Sequence, residues 1–251
     1  MDKNCYLRRI GVPEKAIRID DATLIQLHES HVFNVPFENL DVHYKRIFDL
    51  EPQNVYNKVV AESRGGFCYE LNSLFNWLLC GLGFKSKIIS ARIFDDAGGL
   101  GPEYDHMSVY VETTKKFLLD VGFGDLFIKP LEIKNGIQTD GRSFFKIEEL
   151  GEMNYLLSMS SDGTDFHKKY TFNLTDVTID RFHDICFDKQ TNPMSYFVKN
   201  TVCTKPTTAG RVTLFNDKLV EKRNGERLER VIGSDEELRL ELKEQFGIVV
   251  R

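Results

Sequence analysis

No stretch of the 251 residues reaches the apolar length of a membrane span, and the start Met1-Asp2-Lys3-Asn4 is charged where a secretory leader is apolar, so a cytoplasmic location is expected. Cysteine is sparse. Five residues, an odd number without framework spacing, read as reduced thiols rather than a disulfide scaffold. His28, His31, His43, His167 and His183 do not cluster with cysteines or carboxylates at ligand spacing, which argues against a metal site. His28 and His31, three apart on a helical segment, read as surface residues. A net charge of −5 with scattered lysines and arginines argues against a nucleic-acid binder. The glycine-rich pieces Gly98-Gly99-Leu100-Gly101-Pro102 and Gly122-Phe123-Gly124 fit neither Walker nor dinucleotide spacing and read as loops. No repeat or low-complexity tract is present.

What is there describes a soluble globular chain with ample core, 41% hydrophobic and 28% charged. The first eighty or so residues read as mainly helical: Asp21 can cap a segment carrying Leu24, Ile25 and Leu27. A second helix carries Leu71, Leu74, Phe75, Leu78 and Leu79 at three-and-four spacing, with Gly81 as a natural stop. The middle is strand-rich, with runs at 86–94, 106–113, 116–122, 155–160 and 169–174. Near the end, 212–214 and 218–221 flank the hairpin signal Asn216-Asp217, and 227–232 adds a strand. A capping box at Ser234-Asp235-Glu236-Glu237 opens a final helix lined by Leu238, Leu242 and Phe246 before Gly247.

Within this order, Arg64-Gly65-Gly66-Phe67-Cys68-Tyr69-Glu70-Leu71-Asn72 puts Cys68 in the first turn of the second helix. There the unpaired amides and the positive dipole end favour a thiolate, and Gly65 and Gly66 let the backbone approach a ligand. A base is offered by Asp105-His106-Met107-Ser108, and an orienting acid by Asp120-Val121-Gly122-Phe123-Gly124. An antiparallel pair turning at Thr114-Lys115 brings His106 and Asp120 to the same open end, so that Cys68, His106 and Asp120 form a relay of nucleophile, base and acid. Free cysteines usually pack as small hydrophobes, and Cys80, Cys186 and Cys203 read that way, Cys80 alternatively as a helix-end residue, with Cys5 incidental.

The run Arg-Gly-Gly-Phe-Cys-x-Glu-x-Asn, a histidine on a strand and Asp-Val-Gly-Phe-Gly together resemble the arylamine N-acetyltransferase family. Val35-Pro36-Phe37-Glu38-Asn39-Leu40 and Asn192-Pro193-Met194-Ser195-Tyr196-Phe197 resemble two further motifs of that family, so the resemblance spans nearly the whole chain. It implies an α+β architecture: a helical bundle at 1–83 carrying the nucleophile, an antiparallel β-barrel at 84–190 carrying His106 and Asp120, and an α/β lid at 191–251. That is a cysteine-protease-like triad fold. It also implies Cys68, His106 and Asp120 as the catalytic residues, and acetyl-CoA as co-substrate, with no metal. One departure stands out: where members carry Thr-Gly shortly before the histidine, this chain has Pro102-Glu103, so that portion of the coenzyme site does not transfer.

The expected chemistry is double displacement. Cys68 takes acetyl from acetyl-CoA, and an aromatic amine, hydrazine or hydroxylamine then takes it from Cys68. Phe37, Tyr69, Phe123 and Phe197 are the expected aromatic walls of the substrate pocket, since stacked rings gain roughly 0.5 to 1.5 kcal/mol beyond burial. Phe67 is expected to face away. Arg64, Glu38 and Asn72 are expected to support the site, with Arg64 paired to Glu38. Gly122 and Gly124 are the coenzyme-side expectation, with coenzyme phosphates met locally. The triad order also resembles transglutaminases and papain-like proteases, so a cysteine hydrolase, or an amide synthase using another acyl donor, is the alternative; a ligand binder without turnover is a more distant one.

Overall fold

The computed structural model describes residues 1–250. Its N-terminal region holds α1 (Lys3–Arg9), α2 (Asp21–Asn34), a two-residue strand β1 (Phe37–Glu38), α3 (Leu40–His43), α4 (Pro52–Tyr56) and α5 (Cys68–Leu82). Eight strands follow: β2 (Lys85–Ile93), β3 (His106–Glu112), β4 (Lys116–Leu119), β5 (Leu131–Glu132), β6 (Ile137–Thr139), β7 (Phe144–Gly151), β8 (Asn154–Ser160) and β9 (His167–Asn173). Two helices, α6 (His183–Thr191) and α7 (Tyr196–Lys199), lead into β10 (Val202–Thr207), β11 (Gly210–Phe215), β12 (Lys218–Arg223), β13 (Glu226–Val231) and α8 (Asp235–Phe246). No helix among the described residues is long and apolar enough to cross a membrane.

The eight central strands form one antiparallel sheet in the order β5-β4-β3-β2-β9-β8-β7-β6. Its two edges meet through a side chain: the Gln138 amide accepts from Glu132 N at 2.9 Å and donates to Glu132 O at 2.7 Å. An edge strand is a template for unwanted pairing, and this near-closure covers both edges at once. Within the sheet, β3 is buried on both faces down to Val111. Its two faces differ in what they meet rather than in exposure. His106 and Ser108 face the site while Met107, Val109 and Val111 pack against the helical region.

The helix α5 buries Leu71, Leu74, Phe75, Leu78 and Leu79, each contributing about 1.5 to 3 kcal/mol relative to an exposed side chain. It runs past Gly81, whose missing Cβ leaves room for the Lys3 side chain, and ends at Gly83, which takes the left-handed conformation (φ +100°) that closes the last turn. In α2 the cap is Asp20, one residue before the expected Asp21; it accepts from Thr23 N at 2.8 Å. The reading of His28 and His31 as surface residues is overturned: both are fully buried, at the same spacing as Leu24 and Leu27. Cys186 and Cys203 are buried as expected, but Cys80 is exposed near the end of α5.

The C-terminal sheet has the order β1-β10-β11-β12-β13. Asn216 makes the β11–β12 turn with positive φ, as the Asn-Asp signal predicts. Its unforeseen member is β1, which pairs Phe37 with Thr204 and Glu38 with Cys203. Ser234 caps α8 and Gly247 ends it, both as predicted.

Candidate active site

Cys68 opens α5, whose start is fixed by Glu70: its carboxylate turns back to accept from Phe67 N at 2.8 Å. Gly65 and Gly66 serve the protein rather than a ligand. A Cβ on Gly65 would lie 2.0 Å from Pro36 O, and one on Gly66 would lie 2.7 Å from the Glu70 carboxylate. Their bareness lets this turn press against β1, where Glu38 N donates to Gly66 O at 3.1 Å.

The turn is pinned by buried charge. Arg64 donates from Nε to Glu38 at 2.9 Å and from Nη2 to Asp41 at 3.0 Å, confirming the expected Arg64–Glu38 pair. Lys58 lies 2.8 Å from Asp41 and 2.9 Å from Glu70. Glu38, Arg64, Asp41, Lys58 and Glu70 thus form a chain of alternating sign, and Glu38 also accepts from Leu40 N. Sequence reading missed Lys58 and Asp41, whose partners come from different segments. Such a network satisfies each charge it buries, and loss of one member exposes the next to an uncompensated cost.

His106 stands at the start of β3, and Asp120 lies one residue beyond β4, so the hairpin brings them together: His106 Nε2 is 2.6 Å from Asp120 Oδ2. Cys68 lies on the same cleft as the imidazole, close enough for its charge to act on His106. Asp120 is 2% exposed, and five donors surround its carboxylate. Oδ1 accepts from Asn72 Nδ2 at 3.0 Å and Gly122 N at 3.1 Å; Oδ2 accepts from His106, from Tyr170 OH at 3.1 Å and from Ser108 Oγ at 3.2 Å. Burial pushes this carboxyl up, but the His106 charge and these hydrogen bonds bring it below the ordinary value. For His106 burial alone acts downward, and the charges of Asp120 and Cys68 with their hydrogen bonds raise it to about 10.

Asn72 is a full member of the site. Beyond Asp120 it donates to Met107 O at 2.6 Å and accepts from Val121 N at 3.0 Å, tying α5 to both strands of the hairpin. Ser108 and Tyr170, which sequence reading missed, sit on β3 and β9 facing the same carboxylate; the alternation from His106 to Ser108 was a usable signal for the first.

Cys68 and His106 open on a cleft of about 410 Å³ between the β-barrel and the C-terminal sheet. Phe37, Phe123 and Phe197 line it, as do Gly122 and Gly124. Tyr69 does not: it is fully buried, and its hydroxyl donates to Asp105 O at 2.8 Å. Phe67 is also behind the wall, edge-on to Phe48 and beside Phe197 at 4.6 Å between ring centres. The far side of the cleft is one face of the C-terminal sheet, with Val202, Phe215 and Val220 apolar and Arg211 and Lys222 cationic. No cluster of three or more His, Cys, Asp or Glu side chains suited to a metal occurs among the described residues.

A buried Cys-His-Asp row behind an aromatic cleft suits acyl transfer through a thioester. The family model described as N-acetyltransferase matches residues 20–251. A pineal-gland arylamine N-acetyltransferase of Gallus gallus is 30% identical, over 98% of this chain and 93% of its own. Arylamine N-acetyltransferase 1 of Homo sapiens is 27% identical, over 99% and 94%. Among solved structures, the Mycobacterium smegmatis arylamine N-acetyltransferase superposes with a TM-score of 0.89 at 27% identity, covering 99% of this chain and 92% of that one. An arylamine N-acetyltransferase of Bacillus cereus, described as having a Cys-His-Glu triad, shares the fold with a TM-score of 0.90 at 23% identity, over 99% and 98%. With motif, geometry and relatives in agreement, the chain belongs to the arylamine N-acetyltransferase family.

Proposed function

We propose that this protein transfers an acetyl group from acetyl-CoA to small aromatic amines, hydrazines or hydroxylamines by double displacement through Cys68. The observation that carries this is the His106–Asp120 pair and Cys68 meeting at one cleft, which Phe37, Phe123 and Phe197 also line. The Cys68 sulfur attacks the thioester carbonyl, its bond to the coenzyme sulfur breaks, and coenzyme A leaves with the proton that His106 held. Thioester exchanges for thioester, so the acetyl group is stored at little cost in bond energy. The acceptor nitrogen then attacks the acetyl-cysteine, His106 takes its proton, and the thiolate departs. First-turn amides of α5 are the candidate donors to the tetrahedral oxygen, a role worth about 3 kcal/mol per good donor.

Asp120 holds the imidazole in one orientation, and Arg64, Glu38 and Asn72 hold the loop and hairpin that carry the triad. Gly122 and Gly124 form the stretch of wall along which we place the coenzyme arm. We assign the helical bundle (1–83), the barrel (84–190) and the lid (191–251) as working units. The five free cysteines agree with a reducing, cytoplasmic setting.

Intact mass after brief exposure to acetyl-CoA tests the reading, in the wild type and in Cys68→Ala. One acetyl group that appears only with Cys68 and moves to an added arylamine is expected. An adduct lost equally fast to water makes the protein a hydrolase; no adduct from acetyl-CoA but one from another thioester in a panel makes it a transferase for a different donor.

A further inference from the structure

The proposed chemistry leaves one buried titratable group beside the triad unused: His28 on α2, whose ring touches both ends of the segment that follows β4. Asp120 N–H points at His28 Nε2 at 3.2 Å, and His28 Nδ1 lies 3.1 Å from Ile128 O. An amide N–H can only donate and a carbonyl oxygen can only accept. The ring is therefore the neutral tautomer with its hydrogen on Nδ1. Phe127 stacks on it at 5.5 Å between ring centres and Phe75 packs edge-on at 6.2 Å, so the imidazole has a fixed plane.

The β3–β4 ladder ends at the pair Val109–Leu119, so Asp120 is the first residue without a strand partner. Its buried N–H must still be satisfied, and His28 stands where the next strand would have been. At the other end, Ile128 N donates to Asp140 Oδ2 at 2.9 Å, and Asp140 Oδ1 accepts from Arg142 N and Ser143 N, each at 2.9 Å. The polar contacts therefore run from the 140–143 turn to the Ile128 N–H, and from the Ile128 carbonyl through His28 to the backbone of Asp120. Between the two clamped points lie Gly122, Phe123 and Gly124, all of them cleft wall.

We infer that His28 is a positioning residue that staples the base of the 120–128 loop, setting at once the orientation of Asp120 towards His106 and the position of the cleft wall at Gly122-Phe123-Gly124. The inference rests on the triad chemistry proposed above. It acts through Asp120 and touches no reacting atom. Burial lowers the His28 ring to about 4, against the raising effects of Ile128 O and the Asp120 charge, so it stays neutral at working pH. The titratable groups facing it are Asp120, Asp140 and His31; those facing His106 are Asp120 and Cys68, with Tyr170 on Asp120.

The test compares His28→Phe, which keeps an aromatic ring and loses both hydrogen bonds, with His28→Gln, whose amide has a donor group and an acceptor oxygen. In His28→Phe, acetyl-Cys68 formation should fall about a hundredfold, as for a misplacement of about 1 Å. The pH profile of Cys68 alkylation by iodoacetamide should depart from the wild-type one as Asp120 loosens its hold on His106. His28→Gln should recover most of both. Nitrogen-15 histidine NMR of the wild type should show His28 protonated on Nδ1 only, from about pH 5 to about pH 9. A folded His28→Phe with the wild-type alkylation profile overturns the staple, and so does a wild-type ring protonated on Nε2. If His28→Phe does not fold, the tautomer decides. Neither alkylation nor tautomer requires acetyl-CoA, so a failure of the acetyl-transfer reading registers separately.

Discussion

A methyl group on Gly122 would fall 2.6 Å from the Cα of Cys68 and 2.9 Å from the Asn72 amide nitrogen. The barrel loop and the first turn of α5 therefore touch backbone to backbone, and Cys68 is held by main chain from both sides.

Gly122→Ala should consequently separate Cys68 from His106. Overpacking of this kind costs about 1 to 3 kcal/mol, so the variant is expected to fold with a lowered melting temperature and to lose most acetyl-Cys68 formation. Wild-type acylation in Gly122→Ala would show that this contact is loose.

Asp120→Asn keeps the size of the side chain but puts a donor among five donors. The equivalent change in a Ser-His-Asp triad lowers turnover roughly 10⁴-fold, and a loss of about that size is expected in single-turnover acetylation. A loss below about tenfold would mean that the other contacts of His106 orient it alone.

Lys58→Met leaves Asp41 and Glu70 buried without their shared cation. Removing one partner of a buried pair costs about 3 to 5 kcal/mol, which urea denaturation should report as a lower midpoint at unchanged slope. Replacing Lys58 and Glu70 together by apolar residues of similar volume should recover some of that loss; a single variant as stable as the wild type would refute the network.

Stability should fall on both sides of neutrality for different reasons. Burial holds His28 at about 4 and His31 well below its ordinary value, whereas the unfolded imidazoles titrate near 6.5. The unfolded chain therefore binds more protons in that interval. The contribution of these residues is complete above about pH 6.5 and drains as the pH falls, by roughly 3 kcal/mol for His28 alone at pH 4. His106 runs the other way: raised to about 10, it stabilises fully below its unfolded value and loses that contribution as the pH climbs towards 10. Urea unfolding at a series of pH values should trace a dome; a flat profile over this span contradicts both assignments.

The places of Cys68, His106 and Asp120 are legible because each sits in a local motif: glycines before a helix, a strand entered at His106, a strand left just before Asp120. The helix ends and the final hairpin were legible for the same reason, since Ser234, Gly247 and Asn216 act on their own neighbours. What stayed hidden depends on distant segments. Short strands such as β5 and β6 carry too few residues to show a period, and in β7 the alternation of buried Phe145 and Ile147 with Lys146 and Glu148 is lost from Glu149 on. His28 and His31 were read by their polarity, although their places beside Leu24 and Leu27 mark them as core. Tyr69 was read as a pocket wall because a tyrosine next to the nucleophile looks available; its position on α5 turns it inward to Asp105 O.

The pairing of β1 with β10 bears on how the protein is made. Phe37, a wall of the cleft, is held by Thr204, and Asn39 accepts from Val202 N across 163 residues of chain. Cys68, His106 and Asp120 leave the ribosome well before the strand that anchors that wall, and long-range pairing of this kind forms late. A nascent chain thus carries its thiol, imidazole and carboxylate for some time without a finished cleft, and Cys68 gains its full wall only after β10 has emerged.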